Sequence, residues 1–116
     1  MSGELLSLDE LIELGKKAQS WERRSCREYV GCYKEIHITT ERWGIYQRDE
    51  ISYGIRAELN NILLGEYRGK YAVSPTNSDD RKTMNFFHYA ESFHQKESKK
   101  QKNRQKLLKY ARGMLK

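Results

Sequence analysis

Apolar residues fall into distinct segments along the chain, and their spacing changes from one segment to the next. The first segment is helical. Ser7-Leu8-Asp9-Glu10 has the S-x-x-E form of a capping box, in which the Ser7 hydroxyl accepts from the Glu10 N–H and the Glu10 carboxylate reaches back. Leu6 and Leu11 occupy the positions of a hydrophobic staple, and Leu8, Leu11, Ile12, Gly15 and Ala18 continue one face at helical spacing. The pattern predicts a helix from Leu8 to about Gln19, with room to extend through Arg24.

The next stretch is mixed. Cys26, Tyr29, Val30 and Tyr33 fit a helix, whereas Ile36-His37-Ile38-Thr39-Thr40 is a β-branched alternation. A strand centred on 34–40 is expected, and 21–33 is left open. Residues 51–73 read as a hairpin. Ile51, Tyr53, Ile55, Ala57 and Leu59 alternate with polar positions, and Leu63, Tyr67, Tyr71 and Val73 do so after Asn60-Asn61. Asparagine tolerates positive φ, which suits a tight turn. A two-residue loop would pair Leu59 with Ile62 and set odd positions against even ones. The apolar faces agree only if a bulge restores parity, for which Gly65 is the natural place, or if the loop has three residues. Ile51, Ile55, Leu59, Ile62 and Leu63 also fit a helix capped by Asp49 and ended by Gly65. The hairpin is preferred because Ser52, Tyr53 and Gly54 are poor early-helix residues.

Ser74-Pro75-Thr76-Asn77-Ser78 breaks the pattern. Beyond it, Ser78 or Asp79 can cap a helix whose apolar face is Phe86, Phe87, Ala90 and Phe93. Gln95 to Lys106 holds no apolar residue, so it is either a solvated continuation of that helix or a disordered connector. Apolar spacing resumes at Leu107, Leu108, Ala111, Met114 and Leu115. The resulting expectation is an α+β fold. An N-terminal helix, a small antiparallel sheet of about three strands and a C-terminal helix make a domain over 1–94, extended by a basic arm over 95–116.

Charge sharpens this picture. Residues 1–78 carry 11 Lys+Arg against 12 Asp+Glu, a net −1, while 79–116 carry 11 against 4, a net +7. Lys96, Lys99, Lys100, Lys102, Arg104, Lys106, Lys109 and Arg112 are opposed in the arm by Glu97 alone. Cations gathered on one element can steer a polyanion onto it and release its counterions. These eight residues are therefore the expected phosphate contacts of a small, non-enzymatic nucleic-acid-binding protein, for RNA or DNA, with low sequence specificity. Truncation after His94 is expected to abolish that binding and leave the fold. Tyr53, Tyr67 and Tyr71 could add a stacking platform for bases, or pack as core. Arg56 could pair with Glu66 across the hairpin. The alternative is a small interaction module, an inhibitor or assembly subunit, that meets an acidic protein surface through its aromatic surface and its amphipathic C-terminal end.

Other chemistry finds little footing. Gly44-Ile45-Tyr46 with Tyr53-Gly54-Ile55 resembles the paired tripeptides of GIY-YIG nucleases in those residues alone. The second triplet reads YGI, the gap is shorter than in that family, and no later Arg and Glu pattern completes a metal-assisted site. Cys26 and Cys32 lie six apart, which closes no local zinc site in a strand or a helix, so no metal or cofactor is expected. No stretch approaches the ~20 apolar residues of a membrane span. Glu4, Asp9 and Glu10 stand where a signal peptide would be apolar, which with the unpaired thiols suggests a cytoplasmic protein with no membrane partner.

Overall fold

The capping box at Ser7 forms as the sequence requires: Glu10 N donates to Ser7 Oγ (3.2 Å) and Ser7 N to Glu10 Oε1 (3.0 Å). In the computed structural model, which describes residues 5–115, this box opens α1 (Leu8–Lys16). Five antiparallel strands follow in chain order as one meander: β1 (Trp21–Ser25), β2 (Glu28–Tyr33), β3 (Ile36–Ile45), β4 (Glu50–Leu59) and β5 (Ile62–Arg68). A single turn of 3-10 helix at Tyr46–Arg48 joins β3 to β4, and α2 (Ser78–Met114) closes the chain. The fold is α+β, with five strands rather than about three.

The two additional strands come from the stretch left open. α1 stops at Lys16, well before Arg24, and the chain turns back at Cys26-Arg27 to pair β1 with β2. Gly31 explains why this segment is sheet and not helix. It pairs with Trp21, and a Cβ at Gly31 would lie 2.8 Å from the indole. The bare glycine is the flat surface on which Trp21 rests.

The hairpin at 60–61 follows its turn chemistry. Asn60 and Asn61 both adopt positive φ (52° and 65°), Leu59 pairs with Ile62, and the register shifts so that Ala57 pairs with Gly65. The unpaired residue is Leu64, one position before the glycine expected to bulge. Its carbonyl accepts from Leu6 N (2.8 Å), which ties the N-terminal segment to this edge. Parity changes at the bulge, so Leu63 points away from the face that carries Tyr67, contrary to the simple alternation expected.

One face of the sheet is covered by the helices and the other is not, although Val30, Thr39 and Ser52 on that outer face are buried. Cross-strand partners share a face, so the rows Tyr29–Thr40–Ile55–Tyr67 and Gly31–Ile38–Ala57–Gly65 belong to the inner face, beneath α1 and α2. Phe86 and Phe87 seal this layer. Phe86 meets Trp21 edge-on at 5.5 Å, and Phe87 meets Tyr29 (5.5 Å) and Tyr53 (5.6 Å). The buried residues of α2 all fall between Asp80 and Ala90. A 37-residue helix is about 55 Å long, whereas five strands span about 19 Å, so α2 overruns the sheet. The radius of gyration is accordingly 17.6 Å, against about 13 Å for a compact chain of this length. No helix among the described residues is long and apolar enough to cross a membrane.

Gly15 sets the approach of the two helices: a Cβ there would lie 2.1 Å from Phe86 Cζ. Gly15→Ala should gain about 1 kcal/mol of helix propensity but lose about 1–3 kcal/mol to overpacking. A lower urea midpoint is the expected result, and an unchanged or higher one would contradict this packing.

Candidate nucleic-acid interface

The arm's direction is set at three points along α2. At its start the N-cap is Asn77, one residue before the caps expected from sequence. Asn77 Oδ1 accepts from Asp80 N (2.7 Å), and the buried Asp80 carboxylate accepts from Tyr67 OH (2.5 Å) and Asn77 Nδ2 (3.0 Å). In the middle, Phe87 is fully buried, and the Arg42 guanidinium lies 5.4 Å from its ring centroid. At the far edge His94 Nδ1 lies 2.9 Å from the Trp21 carbonyl oxygen, and since a carbonyl only accepts, this nitrogen carries the proton. The His94 ring also leans on Tyr29 at 5.6 Å. Burial, and then the nearby Glu91 carboxylate, pushes the Tyr29 phenol above its usual range.

Past this contact the helix leaves β1 behind. Every residue from Lys99 to Leu115 is exposed, yet the backbone remains helical through Met114. The solvated-helix alternative for 95–106 is the one observed. At about 100° per residue the cations fall on two stripes. Lys96, Lys100 and Arg104 form one, and Lys99, Lys102, Lys106 and Lys109 form the other, with Arg112 on the line of His94, the side that faces the sheet further back. Among the described residues the only ion pair on the arm joins Lys100 to Glu97 at 3.8 Å. Both partners are solvated, so the pair contributes about 0–1 kcal/mol and leaves the other seven cations uncompensated. The first stripe runs out into an apolar arc of Leu107, Leu108, Ala111 and Met114, with Leu115 beside it. That arc is packed against nothing: Leu107 is 68% exposed and Leu115 86%.

The three tyrosines do not make a stacking platform. Tyr53 is 8% exposed on the inner face beneath Phe87, Tyr67 spends its hydroxyl on Asp80, and only Tyr71, beyond the end of β5, is open to solvent. The inner face needed its aromatic rings to fill the space between sheet and helix, and that demand consumed two of the three.

Two features were not read from the sequence. Register places Glu22, Glu28, Glu41, Glu50, Glu58 and Glu66 on the outer face of the sheet with Arg56 and Arg68, while the exposed Arg24 sits at the irregularity in β1 with no register partner. Arg56 faces Glu66 across the hairpin, as expected, but its ion pairs are with Glu41 and Glu58 (3.0 Å to the latter). Arg68 stacks on Trp43 at 4.2 Å. Knowing that β2 and β3 pair would have revealed this acidic surface. The second feature is a concavity of about 430 Å³ where β3 and β4 outrun β2, lined by Arg27, Arg42, Trp43, Ile51, Asp49 and Glu50 among others. Cys26, also at this concavity, and Cys32 are free thiols, and no group of three His, Cys, Asp or Glu among the described residues could hold a metal. Comparison with protein-family models, curated proteins and solved structures finds no match to this chain.

The Tyr67–Asp80 bond gives the root of the arm a pH dependence. Burial first, and then the bond to Asp80, pushes the Tyr67 phenol well above its usual value near 10. A raised folded-state pKa contributes stability that is intact below about pH 10 and lost as pH rises through the folded value. Unfolding midpoints measured from neutral to strongly alkaline pH should fall above that point. The fall should be shallower in Tyr67→Phe, with Tyr29 supplying part of the remainder, and identical slopes would refute the assignment.

Proposed function

We propose that this protein is a non-enzymatic accessory protein that binds nucleic acid with low sequence specificity through its C-terminal arm. The observation that carries the reading is the arm itself: eight cations on a solvated helix with one weak internal ion pair. Lys96 to Arg112 spans about 24 Å along the axis, roughly seven base pairs of duplex. A helix about 10–12 Å across enters the major groove of B-form DNA, about 12 Å wide, but not the deep, narrow groove of A-form RNA. Cations on both stripes would then reach the phosphates on either side of the groove. The acidic outer face supports this polarity, because it repels phosphate from the sheet and leaves the arm as the point of contact.

The exposed apolar arc favours a second reading, a partner protein with an acidic, apolar groove that receives Leu107, Leu108, Ala111 and Met114. Salt separates the two. Binding to duplex DNA should give a linear log–log salt dependence with slope about −0.9 per phosphate neutralised. Lys99, Lys102, Lys106 and Lys109 changed together to Gln should reduce the slope by about 3–4 units, as read by fluorescence anisotropy on a labelled duplex. A slope unchanged by the four substitutions would remove the arm from the interface.

A further inference from the structure

The chain carries two surfaces of opposite charge that cannot meet within one molecule. On the arm, Lys99, Lys102, Lys106 and Lys109 form a stripe about 15 Å long, and none of the four has an ion-pair partner among the described residues. On the outer face of the sheet Arg56 engages Glu41 and Glu58, while Glu22, Glu28, Glu50 and Glu66 have no ion-pair partner among the described residues. The row from Glu22 on β1 through Val30, Thr39 and Arg56 to Glu66 on β5 crosses four strand spacings, about 19 Å. The two surfaces are therefore opposite in sign, and the row is of about the length of the stripe, with Glu28 two residues and Glu50 six residues away from it along β2 and β4. α2 lies on the inner face and runs on without a break, so the body of the sheet stands between its arm and the carboxylates of the same chain.

We infer that the lysine stripe of one molecule docks across the acidic outer face of a second copy, an arm-on-sheet contact between different surfaces of the same protein. The occupant is a second copy because the complement of each patch is present on every molecule, whereas two arms or two sheet faces would meet with like charge. The apolar arc lies on the other side of the helix and takes no part. Three turns of helix on a sheet make a small interface, in the class of weak contacts below about 1,200 Å². Because its charges are exposed or half-buried at the surface, it should dissolve as the Debye length falls. The inference stands independently of nucleic-acid binding, although a polyanion on the arm would compete with it.

The test uses the full chain after nuclease treatment, with its absorbance ratio confirming that no nucleic acid bridges the molecules. Sedimentation equilibrium at high micromolar concentration should give an average mass well above one chain at about 20 mM salt, returning to one chain at about 500 mM. Changing Lys99, Lys102, Lys106 and Lys109 to Glu should abolish association, as should changing Glu22, Glu28, Glu50 and Glu66 to Lys. Each variant alone then carries surfaces of like charge. An equimolar mixture of the two should associate again, because each supplies what the other lacks, and that recovery also shows that both variants are folded. A wild-type chain that stays monomeric at low salt overturns the inference, and so does association that survives in both variants. Loss of nucleic-acid binding alone leaves these outcomes unchanged.

Discussion

The organisation of this molecule follows from a mismatch of lengths. The sheet is about 19 Å across, and the helix laid over it is about 55 Å long. Only the first half of α2 has apolar surface to cover, and it does so with adjacent phenylalanines, Phe86 and Phe87, among Trp21, Tyr29 and Tyr53. Burying each ring contributes about 1.5–3 kcal/mol, enough to fix the axis of the whole helix. The composition of α2 follows the same geometry: the apolar side chains that cover the sheet stop at Phe93, one residue before His94 reaches the Trp21 carbonyl, and a charged stretch follows where the sheet ends, before exposed apolar residues resume at Leu107. With no proline or glycine between Ser78 and Arg112, nothing in the backbone ends the helix at that edge.

The same mismatch sorts the charge. An antiparallel sheet needs only one apolar face, and here the outer face carries six glutamates against two arginines. The arm carries nine cations, Lys116 included, against one glutamate. A chain of net charge +6 is thus strongly polarised, with the body of the fold separating the two poles. A formal count along the sequence reveals the basic pole because it is contiguous. It hides the acidic one, because those glutamates come from five different strands.

How much was legible depended on whether the deciding contact was local. The capping box at Ser7, the Asn60-Asn61 turn and the need for a parity-restoring bulge near Gly65 are settled within a few residues, and each has its counterpart in the structure. The β1–β2 hairpin was not legible because Cys26, Tyr29, Val30 and Tyr33 mimic a helical face. What excludes a helix is Trp21 lying over Gly31, a contact that exists only once the strands pair. Tyr53 and Tyr67 show the same limit at the candidate site. Alternation placed them together on one face, but whether that face met solvent or α2 depended on residues 80–90, far along the chain. The continuity of the arm was likewise undecided, since a stretch without apolar residues holds no local signal distinguishing helix from coil.

That continuity has a thermodynamic consequence. A free peptide of this length would have to nucleate its first turn, at a statistical weight of about 10⁻³, before it could lengthen. Here the turn ending at His94 is already in place, held by the aromatic layer and the β1 carbonyl, so the arm grows from an existing template by propagation alone. Its order should decay from the free end inwards as temperature rises, while the sheet remains intact. A ligand that holds the distal turns has little chain entropy left to remove.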